Sequence, residues 1–279
     1  MIVVLRRGAH GAEVELLQKA LRDAGFSVGE IDGRFGAATE AALLAFQRSH
    51  ALLADGVAGP VTWKALTRDG DGSPVDQSAR IDVDFVAELF PFTPLRPIER
   101  NLPAVLAALR DARLVDKPML LMALATIRAE SEGFVPGEEA PSRFNTSPYG
   151  EQFDLYDNRR DLGNEGRPDG QRFRGRGFVQ LTGRANYRRY GAAVGLGDRL
   201  VREPFRAMEP AMAGRILAAF LADRQRPIKE ALLEGDLARA RRLVNGGRHG
   251  LDRFVAAYRI GDRLLADPIW QARDQPRAA

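Results

Sequence analysis

The stretch Leu120-Leu121-Met122-Ala123-Leu124-Ala125-Thr126-Ile127-Arg128-Ala129-Glu130 decides how this chain is read. Nearly every position before Glu130 suits a protein interior, and Ser131-Glu132-Gly133 breaks the run, so the spacing predicts a buried helix over 117–130. A carboxylate at the end of such a helix is partly desolvated and meets the negative pole of the helix dipole. Both effects disfavour its charged form, the condition under which a carboxylic acid serves as a proton donor. Nine residues on, in a polar Pro/Gly segment, stands Glu139. Two carboxylates in contrasting surroundings are the minimum equipment for cleaving a glycosidic bond.

The rest of the chain frames that pair. At 279 residues it exceeds the usual single-domain size, so two domains are expected. Hydrophobic content of 45% and charged content of 28% suit an ordinary globular protein with a sizeable core. With no cysteine, neither disulfides nor thiolate chemistry is open to it. The three histidines (His10, His50, His249) are too scattered to suggest a metal site, and no cofactor is implied. A net charge of +4 suits an anionic polymer but is too dispersed to choose between nucleic acid and bacterial wall. The N-terminus lacks the order of a secretory signal, and no apolar run reaches membrane-spanning length.

Residues 1–68 read as a small three-helix unit with an internal echo. Asp32-Gly33-Arg34-Phe35-Gly36-Ala37-Ala38-Thr39 returns as Asp55-Gly56-Val57-Ala58-Gly59-Pro60-Val61-Thr62. Each copy follows a helical segment that carries a glutamine, Gln18 or Gln47. Asp-Gly supplies a tight turn, and Thr39 and Thr62 are expected as helix N-caps. The punctuation Leu5, Gly8, Gly11, Val14, Leu17-Gln18, the two Asp-Gly turns and Thr62-Trp63 resembles the peptidoglycan-binding domain 1 family from Leu5 to Leu66. That resemblance implies a wall-binding module with Asp32, Phe35, Asp55 and Trp63 as candidate contacts. Residues 69–80 read as a polar Gly/Ser/Pro/Asp linker.

From residue 81 to 268 the pattern is mostly helical, with segments near 82–89, 101–113, 117–130, 208–224, 227–234, 236–245 and 251–266; 269–279 reads as a loose tail. The exception is 133–182, rich in Gly, Pro, Asn, Asp and Arg; a long irregular stretch inside a compact domain is usually functional. Within it, glycines flank a short strand in which Phe178, Gln180 and Thr182 share one face and Val179 and Leu181 the other. The fold class expected is therefore mainly α, a three-helix unit joined to a larger α-helical domain with a short β-hairpin.

Several segments of this second part resemble glycoside hydrolase family 19, the chitinase-like, lysozyme-related fold, and particularly its phage and prophage endolysin branch. They are Ala129-Glu130-Ser131-Glu132-Gly133, Glu138-Glu139, residues 156–164, Asn245-Gly246-Gly247 and, most specifically, Gly175–Tyr187. Carried over, the resemblance implies Glu130 as general acid, Glu139 as general base and Thr182 as a holder of the attacking water. Gln180, Asn186, Tyr156, Asn245 and Arg176 would meet the sugar, with Glu132, Glu138 and Asp157 as competitors for the acidic roles. It implies an inverting mechanism, with carboxyl groups about 6.5–9.5 Å apart. Ala129 departs from the histidine common before the acid.

Together these readings give an expected modular endolysin that binds peptidoglycan and cuts its β-1,4 glycan strand. A chitinase and a non-catalytic wall-binding protein are the alternatives. Peptidoglycan is the expected partner of a monomer made in the cytoplasm. Without an export signal, reaching the wall would need a holin-like membrane permeabiliser; no nucleic acid and no stable membrane insertion are expected.

Overall fold

The computed structural model describes residues 4–50, 52–66, 76–245 and 250–265. They form two compact units, one within residues 4–66 and the other spanning Asp76–Leu265. Both are mainly helical.

The first unit has three helices: α1 (Ala12–Asp23), α2 (Ala37–Ser49) and α3 (Pro60–Leu66). Val14, Leu17 and Leu21 of α1 meet Leu43 and Phe46 of α2 in its core. The sequence echo is a duplicated hydrogen-bond clamp. Buried Gln18 donates to Asp32 Oδ1 (2.9 Å), Arg34 O (3.2 Å) and Thr39 Oγ1 (3.1 Å), and accepts from Gly33 N (3.0 Å). Buried Gln47 donates to Asp55 Oδ1 (2.8 Å), Val57 O (3.0 Å) and Thr62 Oγ1 (3.3 Å), and accepts from Gly56 N (3.0 Å). Thr39 and Thr62 are therefore not N-caps. Their helices begin two residues earlier, and both hydroxyls are buried within the clamp.

The second unit begins with α4 (Val83–Leu89), α5 (Leu95–Asp111) and α6 (Lys117–Glu130). It continues with β1 (Gly137–Glu138), α7 (Asp154–Asp157), α8 (Asp169–Arg172) and β2 (Arg176–Gly177). The remainder is α9 (Arg184–Ala193), α10 (Arg199–Arg202), α11 (Pro210–Ala222), α12 (Gln225–Leu233), α13 (Leu237–Asn245) and α14 (Leu251–Leu264). The expected buried helix is α6: Asp116 caps it through Met119 N (3.1 Å), Pro118 lies in its first turn, and Met119 through Ala129 are all buried. A helix buried on every side is the centre of its domain. It packs against α14, where a Cβ on Gly261 would lie 2.5 Å from Leu121 Cδ2, so any larger residue there would force that leucine to move.

Four sequence expectations change. The linker ends before residue 80: Gln77 N bonds Val115 O (3.0 Å) and buried Ser78 accepts from Arg110 Nε (2.6 Å), fastening Asp76–Arg80 to the second unit. Residues 67–75, the last positions of the expected catalytic domain (266–268) and the expected tail 269–279 lie outside the described residues. Helix α5 starts six residues before the expected 101, because Pro97 falls in the first turn, where its missing N–H has no helical acceptor to lose. Helix α9 was not expected; its buried Tyr187 and Tyr190 are spaced three apart among arginines that hide the stripe. The strand expected over 178–182 is a turn. β1 pairs antiparallel with β2 (Gly137 with Gly177, Glu138 with Arg176), and Leu181 bridges back to Arg176. Gln180 sits at φ 48°. A left-handed residue ends face alternation, so Phe178, Val179 and Leu181 all enter the core while Gln180 and Thr182 stay half-buried.

Candidate active site

Glu130 is the last residue of α6 and its side chain is 8% exposed. Its Oε1 accepts from Arg241 Nη2 at 2.7 Å, and the Arg241 side chain, on α13, is fully buried. A guanidinium thus lies against this carboxyl, so apolar surroundings alone do not describe it. The helix end is held from α14: Arg253 Nη2 donates to Ala129 O (3.1 Å) and Nη1 to Glu132 Oε1 (2.6 Å). Glu132 is exposed and its carboxyl is held below the usual glutamate range, chiefly by the hydrogen bond from Arg253. It is the anchor of an ion pair with Arg253.

Glu139 follows β1 and receives three donors. Asn145 Nδ2 and Tyr156 Oη each reach Oε1 at 2.9 Å, and Gly175 N reaches Oε2 at 3.1 Å. Burial, then the bond to this carboxylate, pushes the Tyr156 hydroxyl up to about 12, so it remains a donor at neutral pH. A methyl group placed on Gly175 would stand 2.7 Å from Gln180 Oε1, 3.2 Å from Glu139 Oε2 and 3.2 Å from Thr182 Oγ1. Three polar side-chain oxygens thus converge where this residue has no side chain. Thr182 donates its proton to Gln180 O (2.8 Å), which leaves its oxygen free to accept. Gln180 Nε2 donates to Gly137 O (3.2 Å), fixing the turn to β1.

The two alternatives for the base are occupied elsewhere. Glu138 accepts from Arg176 Nε (2.6 Å) and pairs with Arg174 Nη2 (2.8 Å). Burial raises its pKa, but the two guanidiniums outweigh burial and hold it below the usual value. Asp157 is buried and its Oδ1 accepts from Gly170 N (2.8 Å), shaping the α7–α8 corner.

Of the expected sugar contacts, one, Arg176, is corrected. Arg176 is 4% exposed and spends its guanidinium on Glu138, Arg172 O (2.8 Å) and Tyr187 Oη (3.0 Å), so it braces the hairpin from inside. Tyr156 points its hydroxyl at Glu139 and orients that carboxylate. Asn186 is half-buried and donates to Thr182 O (2.8 Å), tying the start of α9 to the turn. Asn245 closes α13; its side chain, with Gly246 and Gly247, lies outside the described residues.

The sequence reading missed Asn145, Gly175 and Arg241. Arg241 had a signal: Leu237, Arg241 and Val244 recur at helical spacing, which puts a charge on the apolar face of α13. Asn145 and Gly175 carried none, since one lies among Ser, Thr and Pro and the other among many glycines. Among the described residues no cluster of three acids or histidines is placed to hold a metal, and no helix is long and apolar enough to cross a membrane.

Residues 10–66 match the family described as "Putative peptidoglycan binding domain". Over 69 residues the chain is 44% identical to N-acetylmuramoyl-L-alanine amidase CwlM of Mycobacterium tuberculosis, covering 23% of this chain and 17% of the amidase. The chain spans between 17% and 30% of the length of the curated relatives it matches. Chitinase C from Streptomyces griseus aligns over 66% of this chain and 76% of its own, at 18% identity and a TM-score of 0.45. A Burkholderia AP3 phage endolysin aligns over 94% of this chain and 99% of its own, at 21% identity and a TM-score of 0.29.

Within the matched residues the nominated contacts are mostly fold residues. Phe35 is 2% exposed in the core, so its ring is not offered to a ligand. Asp32 and Asp55 hold their own turns through Arg34 N (2.9 Å) and Val57 N (2.9 Å) besides the glutamines. Trp63 is partly buried against the same core. Residues that define this module are those that fold it.

Proposed function

We propose that the second unit hydrolyses β-1,4 glycosidic bonds of the peptidoglycan glycan strand by inverting acid–base catalysis, while the first unit holds the wall. The observation that carries this reading is the convergence of Glu139 Oε2 and Thr182 Oγ1 around Gly175. A water between them gives one proton to the carboxylate and directs the other to the threonine oxygen, whose own proton is already committed. Its lone pair then faces outward, toward the anomeric carbon. As the oxygen bonds to that carbon, Glu139 takes the proton. The bond from the carbon to the leaving oxygen breaks, and Glu130, which enters the step protonated on Oε2 because Oε1 is held by Arg241, gives that oxygen its proton. Asn145, Tyr156 and Gly175 N fix the base before substrate arrives, which favours a positioned attack over a random encounter.

The peptidoglycan-binding domain at residues 10–66 supports the wall as substrate. The test is digestion of purified peptidoglycan by the full chain, followed by mass spectrometry of the fragments and NMR of the newly formed reducing end. New reducing sugars released first as the inverted anomer are expected. Release of peptides without new reducing ends would overturn the reading, and cleavage confined to poly-N-acetylglucosamine would reassign the chain as a chitinase. Glu130→Gln and Glu139→Gln should each lower turnover by about 10²- to 10⁴-fold. We further propose that a membrane permeabiliser gives the enzyme access to the wall; expression with and without membrane disruption tests this, and lysis without help counts against it.

A further inference from the structure

A cleft of about 540 Å³ on the second unit is lined by the first turns of α5, the start of α11 and the loop between Glu130 and Glu139. That size suits a small ligand or a few linked residues. Arg96 and Arg100 line it, one helical turn apart and both exposed. Neither has a hydrogen-bond or ion-pair partner among the described residues, and Glu99, between them on the same helix, pairs with neither. Asn101 lines the same cleft at 2% exposure. Its Nδ2 donates to Pro97 O (3.0 Å) and Phe134 O (2.9 Å), which orients the amide and leaves Oδ1 buried without a donor. Buried polar atoms are normally satisfied, so an oriented acceptor with no donor beside two unpaired guanidiniums calls for an explanation. Val135 and Met208 add apolar wall.

We propose that this cleft is a subsite for a carboxylate-bearing peptide carried on the glycan strand. The guanidiniums take the carboxylate as planar forks, and Val135 and Met208 receive an aliphatic side chain. This rests on the glycan-hydrolase reading and deepens it, because the preferred substrate becomes peptide-substituted wall and not an uncharged sugar polymer. The loop links the cleft to the chemistry. Ser131, next after Glu130, bonds Val135 through both its carbonyl (2.9 Å) and its N–H (3.4 Å), and the chain enters β1 two residues later. A peptide seated here rests on the segment that joins the two acids.

The test is calorimetric titration of the full chain with a soluble disaccharide-tetrapeptide, and with the same compound after conversion of its carboxyls to amides. The unaltered protein should bind the carboxylate form about tenfold more tightly, the size of one charge-assisted contact. Arg96→Gln/Arg100→Gln should lose that preference and bind both forms equally. Arg96→Lys/Arg100→Lys, which keeps charge without the fork, should retain only part of it, separating recognition from misfolding. An unaltered protein without preference, or a Gln pair that keeps it, overturns the subsite. A peptide-free disaccharide, which retains only the sugar's own carboxylate, overturns the peptide assignment if it binds as tightly. Cleavage is scored in parallel: preference without hydrolysis overturns the proposed function and leaves the subsite standing, and hydrolysis without preference does the reverse.

Discussion

Arg241 reaches Glu130 across 111 residues of sequence, its Nη2 standing 2.7 Å from the carboxylate oxygen at the end of α6. Both side chains are almost wholly buried, 0% and 8% exposed. Glu130→Gln keeps an oxygen acceptor for that nitrogen, whereas Glu130→Leu strands a buried guanidinium. We expect Glu130→Gln to stay folded while losing activity, and Glu130→Leu to be destabilised by about 3 kcal/mol. Urea unfolding beside turnover assays checks both; equal stability of the two variants would remove the pair from the account.

Gly175 is a second lever, because it acts on geometry alone. Alanine there meets Gln180 Oε1 at 2.7 Å and crowds Glu139 and Thr182 at 3.2 Å. Its backbone lies outside the left-handed region, so alanine brings no backbone strain. Displacing aligned groups by such amounts costs roughly 10²-fold in rate. Gly175→Ala is expected to lose turnover with little change in unfolding midpoint, and wild-type kinetics in this variant would exclude the convergence from the mechanism.

Tyr156→Phe deletes one donor to Glu139 and leaves Asn145 and Gly175 N in place. A hydrogen bond to a charged group contributes about 1.5–3 kcal/mol, so kcat should fall roughly 10- to 100-fold. Because the hydroxyl is pushed up to about 12, it stays protonated through the working range. The alkaline limb of the pH–rate profile should therefore coincide in the two proteins; a limb that moves on substitution would assign it to this tyrosine.

Glu138 gives a pH dependence whose sign follows from its arginines. Burial raises its pKa, Arg176 and Arg174 more than reverse that, and the folded value lies below the ordinary 4.5. A depressed carboxylate contributes stability above 4.5 that is lost as pH falls through the lower folded value. The side chain is 38% exposed, so solvent limits the contribution to about 1 kcal/mol or less. Glu138→Gln should be less stable than the parent at pH 7, with the gap closing in acid; a gap independent of pH would count against the arginine pair.

Gln18 and Gln47 are the buried centres of the two clamps, and leucine in either place strands the N–H of Gly33 or Gly56. Each substitution should cost the first unit about 2 kcal/mol. Fluorescence of Trp63, which packs on that core, follows the loss.

How much was legible in the sequence depended on whether a residue's role was local. Helix α6 could be read because burial on all sides leaves an unbroken apolar run. Glu130 and Glu139 could be nominated, and Gly175–Tyr187 picked out, because short motifs carry them. The turn at 178–180 could not be read as a turn, since Gln180 at φ 48° looks like an ordinary strand residue on paper. The choice between Glu138 and Glu139 was equally closed. Adjacent residues on an extended segment point opposite ways, and which one faces Arg176 follows from pairing with a strand 38 residues on. In the first unit the repeated letters were visible, but their cause was a glutamine clamp that makes Asp32 and Asp55 structural.

Phe134 lies between the two acids at φ 50°, its ring meeting Phe90 at 5.0 Å and Phe178 at 6.1 Å. The segment that joins Glu130 to Glu139 is thereby pinned into the core by three interlocked rings, edge-on at one contact and tilted at the other. Trimming any one ring leaves a void beside the other two, so the cost of such a change falls on the loop that carries Glu139.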